Sequence, residues 1–177
     1  MQETSIDQGI GIKKKTFDST ISVLNQVLAD EHVLLMKLRN FHWNVTGPNF
    51  RELHALFDEQ KVIVARRTDE VAERIRALGA PATATMIEYL HRTAIREHPG
   101  SFPPANEMLH DLLANHETVI RYIRNVLTAP TEYDLDVGTI DLFTDVIQDH
   151  EKMAWVIRAT LSRTLDDHQE RYSVLYE

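Results

Sequence analysis

His42, His54, Asp58, Asp69 and Glu73 are the residues whose types and spacing could do chemistry. Imidazole nitrogens and carboxylate oxygens form a hard, mixed ligand set that suits iron, manganese or zinc. The chain has no Cys, so thiolate metal sites, disulfides and cysteine nucleophiles are excluded. Four of the five fall within 49–78, a stretch without Gly or Pro. Asn49 with Glu52 stands as a start signal there and apolar residues recur at helical spacing, which predicts one uninterrupted helix. At about 100° per residue, His54, Asp58, Asp69 and Glu73 lie at roughly 0°, 40°, 60° and 100° around its axis, on one face. Spacing of four sets His54 beside Asp58 and Asp69 beside Glu73. From Asp58 to Asp69, however, a rise of about 1.5 Å per residue opens roughly 16 Å, whereas ligands of one ion must sit within a few ångströms. One straight helix cannot close such a site. A two-fold axis crossing the helix near residues 62–65 would lay Asp69 and Glu73 of the partner subunit opposite His54 and Asp58, and would generate two equivalent centres.

The elements that must position these side chains are helices. Six Gly and six Pro in 177 residues are few, and the apolar-periodic segments lack β-branched alternation, an all-α pattern. The first helix is predicted over 18–44, capped by Asp18 or Ser19, with Ile21, Leu24, Leu28, Leu35, Leu38 and Phe41 or His42 toward its buried side. Asp30, Glu31 and His32 interrupt that stripe and are expected to face solvent or a neighbouring subunit. Gly47-Pro48 reverses the chain, so the first two long helices pack antiparallel and His42 meets the early part of the second. Gly79 ends that helix, and Thr85 with Glu88 forms a capping box for a short helix to about residue 96. The third long helix is predicted over 105–127, with Leu109, Leu112, Leu113, His116, Ile120, Ile123 and Leu127 inward, and the fourth over 139–163. Residues 1–16 read as a flexible arm, 17–165 as the folded bundle, and 166–177 as a tail whose Tyr172, Leu175 and Tyr176 could dock on it.

His42-Trp43-Asn44-Val45, followed at set intervals by His54, Asp58 and the run Asp69-Glu70-Val71-Ala72-Glu73-Arg74-Ile75-Arg76, resembles the Dps family, the DNA-binding proteins from starved cells or mini-ferritins. The likeness runs over most of the chain. It implies a ferritin-like four-helix bundle with a short extra helix between the second and third long helices, assembled into a hollow dodecamer. It further implies a ferroxidase centre shared across a dimer interface, oxidising Fe(II) to Fe(III), with hydrogen peroxide the preferred oxidant, and storing ferric mineral inside; zinc could substitute in the same site. By the resemblance, His42, His54 and Asp58 come from one subunit and Asp69 and Glu73 from its two-fold mate, with Glu73 best placed to bridge two ions. Trp43 would intercept a stray oxidising equivalent. Asp136, Asp141 and Asp145 would line a three-fold pore that admits iron, although acidic residues at a helix start also suit its dipole. Asp149-His150-Glu151-Lys152 resembles a second signature of the family, with His150 and Glu151 expected at the surface or inner wall rather than as ligands.

Net charge is −8, which argues against a generic nucleic-acid binder. Twelve such chains would carry on the order of −96, a field that draws cations inward. Lys13-Lys14-Lys15 is the one basic cluster of the arm and works against Glu3, Asp7 and an acidic body. A nucleoid protein that mainly coats DNA is therefore the second reading, and a helical bundle without chemistry the third. Glu88 with His91 and Glu107 with His110 repeat the Glu-x-x-His spacing of intrasubunit di-iron bundles. Those bundles also need a lone Glu on each of two other helices, and the first pair falls on the short connecting helix. The first eight residues have neither a basic start nor an apolar run, and no segment reaches the ~18 apolar residues of a membrane span. A soluble cytoplasmic protein, bacterial by the resemblance and with no membrane partner, is the expectation.

Overall fold

Leu24, Leu28, Leu34 and Leu38 recur at intervals of four or six residues and are all fully buried, the one-sided stripe that forces a helix to pack against others. A computed structural model describes residues 9, 11, 12, 14–129 and 133–173, with helix side chains covered from Thr16 to Ser162. Five helices follow in order: α1 (Lys14–Asn44), α2 (Phe50–Ala77), α3 (Met86–Arg92), α4 (Ala105–Thr128) and α5 (Val137–Ser173). There is no strand among the described residues. α1 packs chiefly on α2, α4 on α5, and the short α3 lies against α1. The core between the four long helices includes Phe57, Ile75, Leu112, Ile123 and Phe143. Burying an aromatic of that size stabilises the fold by about 1.5–3 kcal/mol.

Several boundaries differ from those predicted. α1 begins at Lys14 rather than near Asp18. Ser19 does not cap, because its hydroxyl donates backward to the Thr16 carbonyl at 3.0 Å. The Thr16 hydroxyl donates to Asp134 at 2.5 Å, which ties this early turn to the segment before α5. Lys13, and the side chains of Lys14 and Lys15, lie outside the described residues. Asn49 makes no side-chain cap on α2. The reversal is instead held by the Phe50 N–H donating to the Gly47 carbonyl at 3.1 Å, with Gly47 at φ +113°, a region that L side chains rarely adopt. The Thr85–Glu88 capping box is present: the Glu88 N–H donates to Thr85, whose hydroxyl donates to the Glu88 carboxylate at 2.5 Å. α3 stops at Arg92, short of 96, because the Asp30 carboxylate takes the Thr93 hydroxyl at 2.8 Å and the Ala94 N–H at 2.7 Å. α5 starts at Val137 and continues to Ser173, so part of the expected tail extends this helix. Leu175 and Tyr176 lie outside the described residues, as do the side chains beyond Ser162.

Asp30 and Glu31 are buried, not solvent-facing. Glu31 lies in register with Leu24, Leu28, Leu35 and Leu38, so the same periodicity that buries the leucines buries it. His32 is half-buried and stacks on Tyr89, ring centroids 4.0 Å apart. His150 is likewise wholly buried rather than on a wall, while Glu151 stays part-exposed and paired with Arg124.

Candidate metal centre

The α1–α2 hairpin brings His42 to His54. Val45 N–H closes the last backbone bond of α1 onto Phe41 O, which leaves the His42 carbonyl among the orphan acceptors of the helix end. The His54 ring takes it: His54 Nδ1 lies 2.8 Å from His42 O, and His42 Nδ1 reciprocates at 3.0 Å from His54 O. A carbonyl only accepts, so each Nδ1 carries a proton, and in the neutral tautomer this selects the lone pair lies on Nε2. The rings stack with centroids 3.8 Å apart and planes at 24°, and Phe50 flanks His54 at 5.2 Å. Such outer hydrogen bonds orient metal-ligating histidines and fix their tautomer.

Asp58, one turn after His54, places Oδ1 3.8 Å from His42 Nε2. The same oxygen accepts a hydrogen bond from Lys61. The hydrogen bond from that ammonium, and then its charge, hold the Asp58 carboxyl below the usual carboxylate range. Asp58 is thus an anion ready to ligate. Asp69 and Glu73 are exposed further along α2. Among the described residues no three His, Asp or Glu side chains of one chain come together to hold a metal ion. Two imidazoles and one carboxylate lie at one end of α2, and two carboxylates toward the other. Trp43, next to His42, is 68% exposed.

Near the start of α5 the three aspartates differ. Asp136 caps the helix, accepting from Gly138 N–H at 3.0 Å and Thr139 N–H at 3.2 Å, and pairs with Arg74. Burial pushes its carboxyl upward, but the Thr139 hydrogen bond and the Arg74 charge outweigh that and hold it low. Gly138 makes room for this arrangement, since a Cβ there would lie 2.8 Å from the Arg74 guanidinium. Asp136 is therefore occupied as a cap, whereas Asp141 and Asp145 are exposed, with Asp145 3.6 Å from Arg67. Glu88, His91, Glu107 and His110 are all exposed, so neither Glu-x-x-His pair points into the bundle core.

Sequence reasoning missed a second polar cluster, built from one residue of each long helix: Glu31 of α1, Gln60 of α2, His116 of α4 and His150 of α5. All four are buried. Gln60 Nε2 donates to Met153 O at 3.4 Å, so its Oε1 must accept from His116 Nε2 at 3.2 Å. Burial, and then the neighbouring His150, push the His116 imidazole well below its ordinary range and keep it neutral. Its Nδ1 therefore accepts from His150 Nδ1 at 3.1 Å, and one proton lies between His150 Nε2 and Glu31 Oε1, 2.8 Å apart. The donors run in a line through opposite edges of each ring instead of converging on a point. Glu31 Oε2 has no hydrogen-bond partner among the described residues.

Comparison with known proteins places the chain. A family model described as a ferritin-like domain matches residues 21–165. The chain is 38% identical over 143 residues to DNA protection during starvation protein 2 of Bacillus anthracis, covering 81% of this chain and 97% of that one. It is 36% identical over 150 residues to a low temperature-induced protein of a Nostoc species, covering 85% and 84%. The crystal structure of a Dps protein from Vibrio cholerae, described as a member of a broad superfamily of ferritin-like diiron-carboxylate proteins, superposes with a TM-score of 0.81 at 30% identity, over 91% of this chain and 99% of that one.

Proposed function

Because this chain belongs to the Dps family of ferritin-like proteins, we propose that it is a ferroxidase and iron-storage protein, acting in the cytoplasm as a hollow dodecamer whose centres are shared by two-fold-related subunits. The observation that carries this reading is the arrangement of two stacked imidazoles, their Nδ1 atoms spent on carbonyls, beside an ionised Asp58, with no group of three such side chains among the described residues of one chain that could hold an ion alone. Asp69 and Glu73 of the partner subunit supply the rest, Glu73 bridging two ions. Iron is the substrate. Two ferrous ions each give one electron to hydrogen peroxide, whose O–O bond breaks and which takes up two protons to leave as two waters, while the ferric product passes to the mineral inside. Imidazole ligands keep Fe(II) binding moderate and carboxylates stabilise Fe(III). Zinc, which accepts the same donors, would occupy the site and block turnover. Trp43, exposed beside His42, is positioned to take up a stray oxidising equivalent.

Asp141 and Asp145, exposed early in α5, line the path that concentrates iron at the three-fold axis, with Asp136, already engaged as the helix cap, at the end of the same row. No described helix is long and apolar enough to cross a membrane. A chain charge of −8 leaves little attraction for phosphate, so DNA coating is not part of the proposal. Asp58→Ala and Glu73→Ala test it directly. Each is expected to slow peroxide-dependent iron oxidation by about 100-fold or more, since even outer partners of metal ligands matter at the level of roughly 10–100-fold, while the assembly stays intact. Unchanged kinetics in both variants would remove the site assignment.

A further inference from the structure

Resting on the ferroxidase reading above, we propose that Lys61 is a built-in competitor for the cation at Asp58, a charged placeholder that iron must displace. His54, Asp58 and Lys61 occupy successive turns of α2. The Lys61 ammonium binds Asp58 Oδ1, the same oxygen that faces His42 Nε2 at 3.8 Å. An ion held jointly by that oxygen and that nitrogen would stand beside the ammonium. Lys61 is the more enclosed of the pair, its side chain 26% exposed against 49% for Asp58, so its stem is packed while its head reaches the carboxylate.

An i,i+3 ion pair at this exposure adds little to stability. Its effect on a divalent ion is larger, because a double charge a few ångströms from an ammonium is repelled enough to weaken binding by roughly tenfold even at the dielectric of water. The flexible four-carbon stem allows the head to swing away when the ion arrives, which a rigid guanidinium fork bound to the carboxylate would resist. Lys61 thus does two things in sequence. It holds the Asp58 carboxylate in place before iron binds, then lowers the standing affinity so that product leaves for the store.

The test is anaerobic titration of the full-length assembled protein with Co(II), followed by calorimetry and by the visible absorption of the bound ion. Lys61→Gln and Lys61→Met are expected to bind Co(II) about tenfold more tightly than the wild type. Lys61→Arg, which keeps the charge, should bind no more tightly than the wild type, and thermal unfolding should be unchanged in all three. Equal or weaker binding by the uncharged variants, with Asp58→Ala still abolishing it, overturns the role of Lys61 and leaves the ferroxidase reading standing. Wild-type binding that does not depend on Asp58 overturns the ferroxidase reading itself.

Discussion

Two pairs of histidines meet in this protein, and their surroundings give them opposite chemistry. His42 and His54 sit at the open end of the α1–α2 hairpin, and each spends Nδ1 on the other's backbone carbonyl while Nε2 stays bare. His116 and His150 sit in the bundle interior, and every one of their nitrogens is engaged, with Gln60, with each other or with Glu31. Residue type is the same in both places. Whether a ring can take a metal ion is decided by which lone pairs survive the local hydrogen bonding. The interior line has the composition of a metal site and the connectivity of a structural brace.

The sharpest way to break this contrast is to remove one member from each region. His150→Ala leaves Glu31 buried with neither oxygen partnered and should cost about 3–5 kcal/mol of stability in denaturant unfolding. Asp58→Ala should cost under about 0.5 kcal/mol although it abolishes fast oxidation. Similar losses in the two variants would mean that the division into brace and site is wrong. The next largest effect is a pH dependence. The folded-state affinity of His116 for a proton is depressed by burial, from an ordinary value of 6.5. Below that pH the unfolded chain takes up a proton that the fold refuses, so this contribution is complete above it and is lost as pH falls. The slope approaches about 1.4 kcal/mol per pH unit for one proton. Denaturation from pH 7.5 to 5 should show it, and His116→Gln should flatten it. Smallest is the same contrast drawn among carboxylates. Asp136→Ala loses the α5 cap and should cost about 1 kcal/mol. Asp141→Ala should leave stability unchanged and slow iron uptake at low ferrous concentration a few-fold.

Local patterns made much of this legible in the sequence. The α2 helix, the α4 boundaries and the Thr85–Glu88 capping box follow from periodicity and capping chemistry within a few residues. His42 and His54 were also within reach, since a tight Gly47-Pro48 reversal leaves little freedom in which residues meet. Glu31 and His150 were misjudged because a charged or polar residue was taken to point outward, and the partner that makes burial tolerable lies 119 positions away. A signal was present nonetheless. Glu31, Gln60, His116 and His150 each occupy a phase otherwise held by buried apolar residues on its own helix, and four such polar interruptions on four helices can satisfy one another only at the bundle centre. Asp136 was open to two readings in the sequence, since an acid just before a helix is both a cation attractor and a cap, and the positions of Arg74 and Gly138 show that it serves as a cap.

The unbroken course of α2 from Phe50 to Ala77 sets a rule for divergence. Between Asp58 and Asp69 the exposed side chains other than Lys61 can be exchanged wherever packing allows, yet the number of residues cannot change. One insertion or deletion would turn one carboxylate pair about 100° away from the other and shift it by about 1.5 Å, and would turn Val71 and Ile75 out of the core with it, so the proposed shared centre and the packing of α2 constrain the same length. Descendants of this chain can rewrite much of that interval but not resize it.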